Sequence, residues 1–279
     1  MLDFLTSLIA WLVMTADSIG SVLFGWIAIV PGWLSNTIIA SITGVLMLLV
    51  FKYTSNQDAI GRVRDRIKAN MLALKLYKDS LYVTFKSLGG LFAGAGSLLL
   101  HALRPMGVMI VPMVLLLGQL ALWYEHRPLA IGEEAIVSVQ VQETQARPSV
   151  RLIEAEGVEV VVDRSWFEKK NAYYWKVRAT EPGEYDMLFD VDGFDVEKKL
   201  VVGEGLAKVN VKRAGWDMSD MLMFPGEISF AESSVVQGIS IEYPQREGIA
   251  GGAFWWMVWF FGVSMIAALI FKPVFGVKI

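Results

Sequence analysis

Residues able to do chemistry are scarce in this 279-residue chain. It has no cysteine, which removes disulfides, thiolate metal sites and a cysteine nucleophile. Its two histidines, His101 and His126, stand far apart and have no third ligand at metal-binding spacing. There is no GxxxxGK[ST] phosphate loop, no GxGxxG after a strand and no GxSxG elbow. The glycine-rich piece Leu88-Gly89-Gly90-Leu91-Phe92-Ala93-Gly94-Ala95-Gly96 lies inside an apolar run. It reads as close helix packing rather than a phosphate cradle. The chain is therefore not expected to be an enzyme, and no catalytic residue, metal or cofactor is assigned to it.

The composition points to a membrane. Hydrophobic residues make up 54% of the chain and charged ones only 19%, and mean hydropathy is +0.48. An ordinary soluble domain carries about 25% charged residues. Three runs approach the ~20 apolar residues that a spanning helix needs. They are residues 35–53 within Trp33–Tyr53, residues 106–124, and residues 253–272, which end at Lys272-Pro273. Phe4–Met14 and Ser18–Val30 are shorter, and residues 1–34 are read as interfacial or re-entrant helices. Residues 88–105 form another apolar interfacial segment, with Arg104-Pro105 expected to break the helix ahead of the second span.

Charge orients these spans. Residues 52–86 carry eight Lys/Arg against three Asp/Glu, whereas residues 125–250 carry fourteen against twenty-three. By the positive-inside rule residues 54–87 are cytoplasmic and the large acidic domain, residues 125–250, is outside. Lys272 and Lys278 put the tail, residues 273–279, inside, and the N-terminus starts outside.

The cytoplasmic segment is amphipathic. Ile60, Val63, Ile67, Met71, Leu74, Tyr77, Leu81 and Phe85 recur at steps of three and four, a continuous apolar stripe on a helix. Arg62, Arg64, Arg66, Lys68, Lys75 and Lys78 lie off it. Three readings remain open: a helix on the anionic inner leaflet, one arm of a helical hairpin, or a docking surface for an acidic partner or ribosomal RNA. DNA is not an expected partner.

The outer domain reads as strands over residues 133–213. Ala135, Val137, Val139 and Val141 alternate with polar residues, and Tyr173, Trp175, Val177 and Ala179 share a face. Val158, Val160 and Val162 alternate in the same way, and Ile228–Phe230 and Val235–Ile241 add two more candidate strands. Asp192-Gly193 signals a tight hairpin. Short strands with frequent turns suggest an all-β sandwich, and Pro182-Gly183-Glu184-Tyr185 resembles the tyrosine corner of immunoglobulin-like domains. The fold class is thus an α-helical integral membrane protein, with a three-span core and a cytoplasmic amphipathic hairpin, carrying an extracytoplasmic Ig-like β-sandwich.

The membrane part resembles the Oxa1 superfamily of membrane protein insertases, which includes YidC and the EMC3 and TMCO1 branches. The resemblance covers roughly residues 35–124 plus the last span. It rests on an N-out first span, a basic cytoplasmic hairpin and a second span directly after it. Its short matches are Lys52-Tyr53-Thr54-Ser55-Asn56-Gln57, Leu76-Tyr77-Lys78, and Arg104-Pro105-Met106-Gly107 followed by Pro112 and Gln119. The chain departs from the YidC pattern in having no arginine inside the first span. Residues 88–103 are an insertion, and the β-domain falls between the second and third spans.

The resemblance implies an insertase or intramembrane chaperone with a polar groove open to cytosol and lipid, because a polar segment crossing hydrocarbon otherwise loses its water. Asn36, Ser41, Thr43 and Gln119 would line that groove, with Lys52, Asn56, Gln57 and Arg104 at its cytoplasmic mouth. Ser41 and Thr43 are equally the residue types that pack helix against helix. The implied partners are membrane lipids, nascent membrane protein clients or the ribosome, and a protein partner at the β-sandwich. The alternative is a membrane-anchored assembly protein whose Ig-like domain binds a partner outside. The outer domain reads like bacterial Ig-like modules, so a bacterial inner membrane is the expected location.

Overall fold

The structure is a computed structural model; it describes residues 2–77, 79–143, 147–154, 157–248 and 250–277, and the side chains of all of these except 2, 3 and 154. Lys78 and Lys278 lie outside the described residues. The chain divides into two compact units, residues 1–36 with 114–259, and residues 37–113 with 260–279.

The helices are α1 (Leu2–Phe24), α2 (Gly32–Thr54), α3 (Gln57–Leu76), α4 (Leu81–Tyr124), a short α5 (Met218–Met223) and α6 (Trp255–Phe275). Among the described residues four segments could cross a membrane by length and composition: Phe4–Ile29 and the helices α2, α4 and α6. That is one more than the three apolar runs lead one to expect. The difference is α1, where Phe4–Met14 and Ser18–Val30 are not two helices. One helix runs from Leu2 to Phe24 and passes into a 3-10 turn, Gly25–Ile29. Thr15 and Ser18, which could have interrupted it, bond back to carbonyls one turn earlier and leave the ladder intact.

Two further expectations change. Arg104-Pro105 does not break the chain: α4 is a single 44-residue helix passing through Pro105 and Pro112. At 1.5 Å per residue it is about 66 Å long, roughly twice the ~30 Å hydrocarbon core. Each proline removes one donor from a long ladder, which apolar helices tolerate. Nor is the apolar stripe over 60–85 one helix. It stops at Leu76, Tyr77 caps α3, and Ser80 accepts from Val83 and Thr84 as α4 begins. Leu81 and Phe85 therefore belong to the next helix.

The β-domain is two antiparallel sheets. Its strands are β1 (Glu134–Val141), β2 (Val150–Glu154), β3 (Val158–Phe167), β4 (Ala172–Ala179), β5 (Gly183–Val191), β6 (Phe194–Val202), β7 (Lys212–Ala214) and β8 (Val236–Ile241). One sheet has the order β3-β4-β1-β8-β7 and the other β2-β5-β6. The alternation in β1, β4 and β5 behaves as the sequence requires. Val137, Val139, Trp175, Val177, Met187 and Phe189 meet in one core, with Trp175 edge-on to Phe189 at 5.4 Å between centroids. Asp192 and Gly193 both take positive φ in the two-residue β5–β6 hairpin.

The alternation in β3 does not bury a face. Val160 and Val162 are exposed, because β3 is an edge strand whose register slips twice against β4. Residues 228–230 form no strand; Phe230 instead donates its amide to Ala214 and buries its ring.

Tyr185, at the start of β5, donates its hydroxyl to the Pro182 carbonyl at 3.2 Å. Its ring lies where a side chain on Gly157 would be, and Gly157 has φ +70°. One charge is fully buried beside this region. Lys198 has no exposed surface and donates to Glu227 at 2.5 Å and to the Asn210 carbonyl at 2.7 Å. Burial pulls the Lys198 ammonium below the ordinary lysine range despite the Glu227 carboxylate.

Candidate functional site

The buried face of α2 mixes small and polar residues, Ser35, Asn36, Ala40, Thr43 and Gly44, with the aliphatic Ile39 and Leu48. Asn36, Ala40 and Gly44 follow one another at steps of four, the spacing that lets helix backbones approach in lipid. Gly44 shows that approach, since a Cβ there would overlap the carbonyl of Ser264 on α6. Asn36 donates Nδ2 to the Trp256 carbonyl at 3.2 Å, and its Oδ1 is buried with no partner. Seven residues on, Thr43 shares this face and is buried. Ser41 is half-buried on the flank and donates to the Thr37 carbonyl at 2.8 Å, a bond internal to its helix.

Gln119 stands near the end of α4. It is buried, and a Cβ on Gly20 of α1 would fall 2.8 Å from its Oε1. Its Nε2 has no hydrogen-bond partner. Close by, the Tyr124 hydroxyl donates to Ser35 Oγ at 2.8 Å, and the Tyr124 ring stacks on buried Trp256 at 6.2 Å. Asn36 and Gln119 therefore belong to one unit, and Ser41 and Thr43 to the other. Along α2, Asn36 is about 6 Å from the start of the helix and Thr43 about 16 Å, near the middle of a bilayer-spanning length.

Of the four residues expected at the cytoplasmic mouth, Lys52, Asn56 and Gln57 stand at the α2–α3 turn and Arg104 does not. Lys52 is in the last turn of α2, where a cation suits the helix dipole. Asn56 caps α3 by accepting from the Ala59 amide at 3.0 Å, and Gln57 donates to Ser55 Oγ at 2.5 Å. Arg104 is exposed, 47 residues downstream of Gln57 in the middle of α4.

After that turn, α3 and α4 come back on one another. Gly90 leaves room for Asn70, and Gly94 leaves room for Ile67. The later residue of one arm faces the earlier residue of the other, so the arms are antiparallel. Glycines 90 and 94, read from sequence as close packing, do that here. Arg62, Arg66, Lys68 and Lys75 are exposed on α3 and Arg64 is half-buried, while Phe85, Phe92, Leu99 and Leu100 are exposed on α4.

Arg246 is a candidate residue that the sequence reading did not single out. It is half-buried, donating Nη1 to the Gly205 carbonyl at 3.0 Å and Nη2 to the His126 carbonyl at 3.2 Å. Its Nε is buried without a partner, and none of the described ion pairs includes it. Burial and the nearby Arg127 both disfavour its charge. The signal for it was its isolation, since it is the lone basic residue between Arg213 and Lys272. Arg127 itself is neutralised by a two-pronged pair with Glu133, at 2.8 and 2.9 Å.

Among the described residues no group of three or more His, Asp or Glu side chains could hold a metal ion. Comparison with known protein families, with curated proteins and with solved structures finds no match.

Proposed function

We propose that this chain is an Oxa1/YidC-like membrane protein insertase or intramembrane chaperone, anchored by α2, α4 and α6 in a bacterial inner membrane. The observation that carries the reading is the order α2–α3–α4. An apolar helix leads directly into an antiparallel hairpin with a basic arm, and the hairpin's second arm continues unbroken into the next apolar helix. On this reading the hairpin is cytoplasmic, and Lys52 and Lys272 mark the inner ends of their helices. Thr43, buried about 16 Å along α2, supports it as a polar group near mid-bilayer; Asn36 Oδ1 and Gln119 Nε2, buried without partners, lie toward the outer ends of α2 and α4 on this orientation. The groove would lower the cost of moving a client's polar flank by giving it partners and water access partway across the bilayer.

In this reading α1 is interfacial and does not span. Asp17, in its middle, pairs with Lys208 of the β-domain at 2.7 Å, and α1 packs against α5. A span through that point would draw the domain's Lys208 into the hydrocarbon. The β-domain itself is Ig-like. Its order β3-β4-β1-β8 over β2-β5-β6 corresponds to D-E-B-A over C-F-G, with β8 taking the place of the first strand. The Tyr185–Pro182 bond supplies the tyrosine corner.

Liposomes holding the purified chain test the proposal. A short single-span client synthesised in their presence is scored for protease-protected insertion. Protection several-fold above protein-free liposomes supports an insertase. Protection equal to protein-free liposomes leaves the anchored assembly protein as the better account.

A further inference from the structure

We propose that the cleft between the 3-10 turn after α1 and the Arg246 loop binds the phosphate of an outer-leaflet phospholipid. The cleft has a volume of about 700 Å³. One wall is Ile29, Val30, Pro31 and Trp33, and the other carries Leu206 and Arg246. It opens at the first turn of α2, and Tyr124 and Trp255 lie at the corresponding ends of α4 and α6. The inference rests on the reading of these helices as spans, which puts the cleft at the headgroup level, where aromatic side chains gather.

Charge selects the occupant. Arg246 is held in place by two carbonyls and faces no carboxylate within ion-pair distance among the described residues. A half-buried guanidinium without a counter-ion favours an anion with oxygens to match its fork, and a phosphodiester supplies them. Glu247 also lines the cleft, but it is exposed and sits within electrostatic reach of Arg127. The apolar wall fits an acyl chain and not a soluble anion: Ile29 is 86% exposed although it belongs to the turn whose neighbour Ile27 is fully buried. An exposed isoleucine beside an unpaired arginine matches the two ends of one lipid molecule, tail and headgroup.

The test is calorimetric titration of the full-length chain in uncharged maltoside micelles with monomeric dihexanoyl phosphatidylglycerol. The wild type is expected to bind one molecule. R246Q should weaken binding about tenfold or more, the usual consequence of losing a charge-assisted hydrogen bond. I29E alters a residue too exposed to matter for folding and should weaken it as well, so the inference stays testable if R246Q folds poorly. Inorganic phosphate and the matching phosphate-free diacylglycerol should each bind at least about tenfold more weakly than the phospholipid. Binding by I29E and R246Q within about twofold of wild type would overturn the site. Equal binding of inorganic phosphate would make it a soluble-anion site, and equal binding of the diacylglycerol would leave Arg246 no part in it; either result also overturns the proposal. None of these results depends on insertase activity.

Discussion

Removing Lys198 alone should destabilise the β-domain far more than removing either partner of the half-exposed Arg127–Glu133 pair. In K198M the Glu227 carboxylate, nearly buried, loses the ammonium 2.5 Å away and keeps the Asn210 side-chain amide at 2.9 Å. Breaking one partner out of a buried pair costs about 3–5 kcal/mol, because the remaining charge stays desolvated. For a domain of this size each kcal/mol moves the midpoint by roughly 3–5 °C, so a fall of about 10–20 °C is expected. The double variant K198M/E227Q removes both charges and should recover most of that loss. The assay is calorimetric unfolding of the full chain in mild detergent, with hydrogen exchange at β5 and β6 to place the change in the domain.

The pair also fixes a pH dependence. Burial holds the Lys198 pKa below its unfolded value, so between the two the unfolded chain binds more protons. Stability attributable to this group therefore rises with pH between the folded and the unfolded pKa, and K198M loses the rise. A fall of less than about 3 °C in K198M, or a double variant no better than the single, would show that water reaches the pair and would refute the reasoning.

Three other outcomes follow from particular contacts. Gly157→Ala places a methyl in the Tyr185 ring at a φ of +70°, and should destabilise the β-domain by about 2 kcal/mol or more, whereas Tyr185→Phe, losing one bond to Pro182, should cost about 1 kcal/mol; parallel thermal unfolding measures both. Gly44→Leu must push α2 off the Ser264 carbonyl and should disrupt the α2–α6 pairing, read as loss of crosslinking between cysteines placed at Gly44-adjacent and Ser264-adjacent positions. Glu133, held below the usual carboxylate range chiefly by Arg127, contributes stability present at neutral pH and lost as pH falls through its folded pKa, so Glu133→Gln should flatten the acid side of the stability curve.

How far the fold was legible depends on how local its causes are. The alternation in β1, β4 and β5 and the Asp192-Gly193 hairpin are period and turn chemistry, and each appears where its residues require. Strand β3 has the same alternation in Val158, Val160 and Val162, but its role as an edge strand is set by what pairs beside it, and no pattern within the segment reveals that. Pro105 was a sound local reason to end a helix; the long apolar ladder on either side outweighed the loss of one bond. Gly90 and Gly94 were legible as packing residues, but their partners Asn70 and Ile67 were not, because hairpin register follows from where Ser80 turns the chain.

Among the site residues, Asn56 was found by position and turned out to be a helix cap. Gln119 and Asn36 were conspicuous in sequence as polar groups in apolar runs, while their placements against Gly20 and the Trp256 carbonyl are tertiary facts. Arg246 stood out in sequence only by its isolation between Arg213 and Lys272; that no carboxylate meets it among the described residues is a tertiary fact.

Water access along α2 is the most direct test of the proposed groove. The chain contains no cysteine, so single cysteines at Ser41, Thr43, Ile42 and Asn56 would be unique labels. Each would be exposed, in sealed vesicles with the cytoplasmic face accessible, to a membrane-impermeant maleimide. Ser41 and Thr43 lie on the polar side of α2, Ile42 at the same depth is exposed on the other side, and Asn56 is the exposed control at the helix cap. The account predicts labelling at Asn56, Thr43 and Ser41 but not at Ile42. Labelling at Asn56 alone would mean that α2 is dry along its length, which contradicts a groove open to the cytosol.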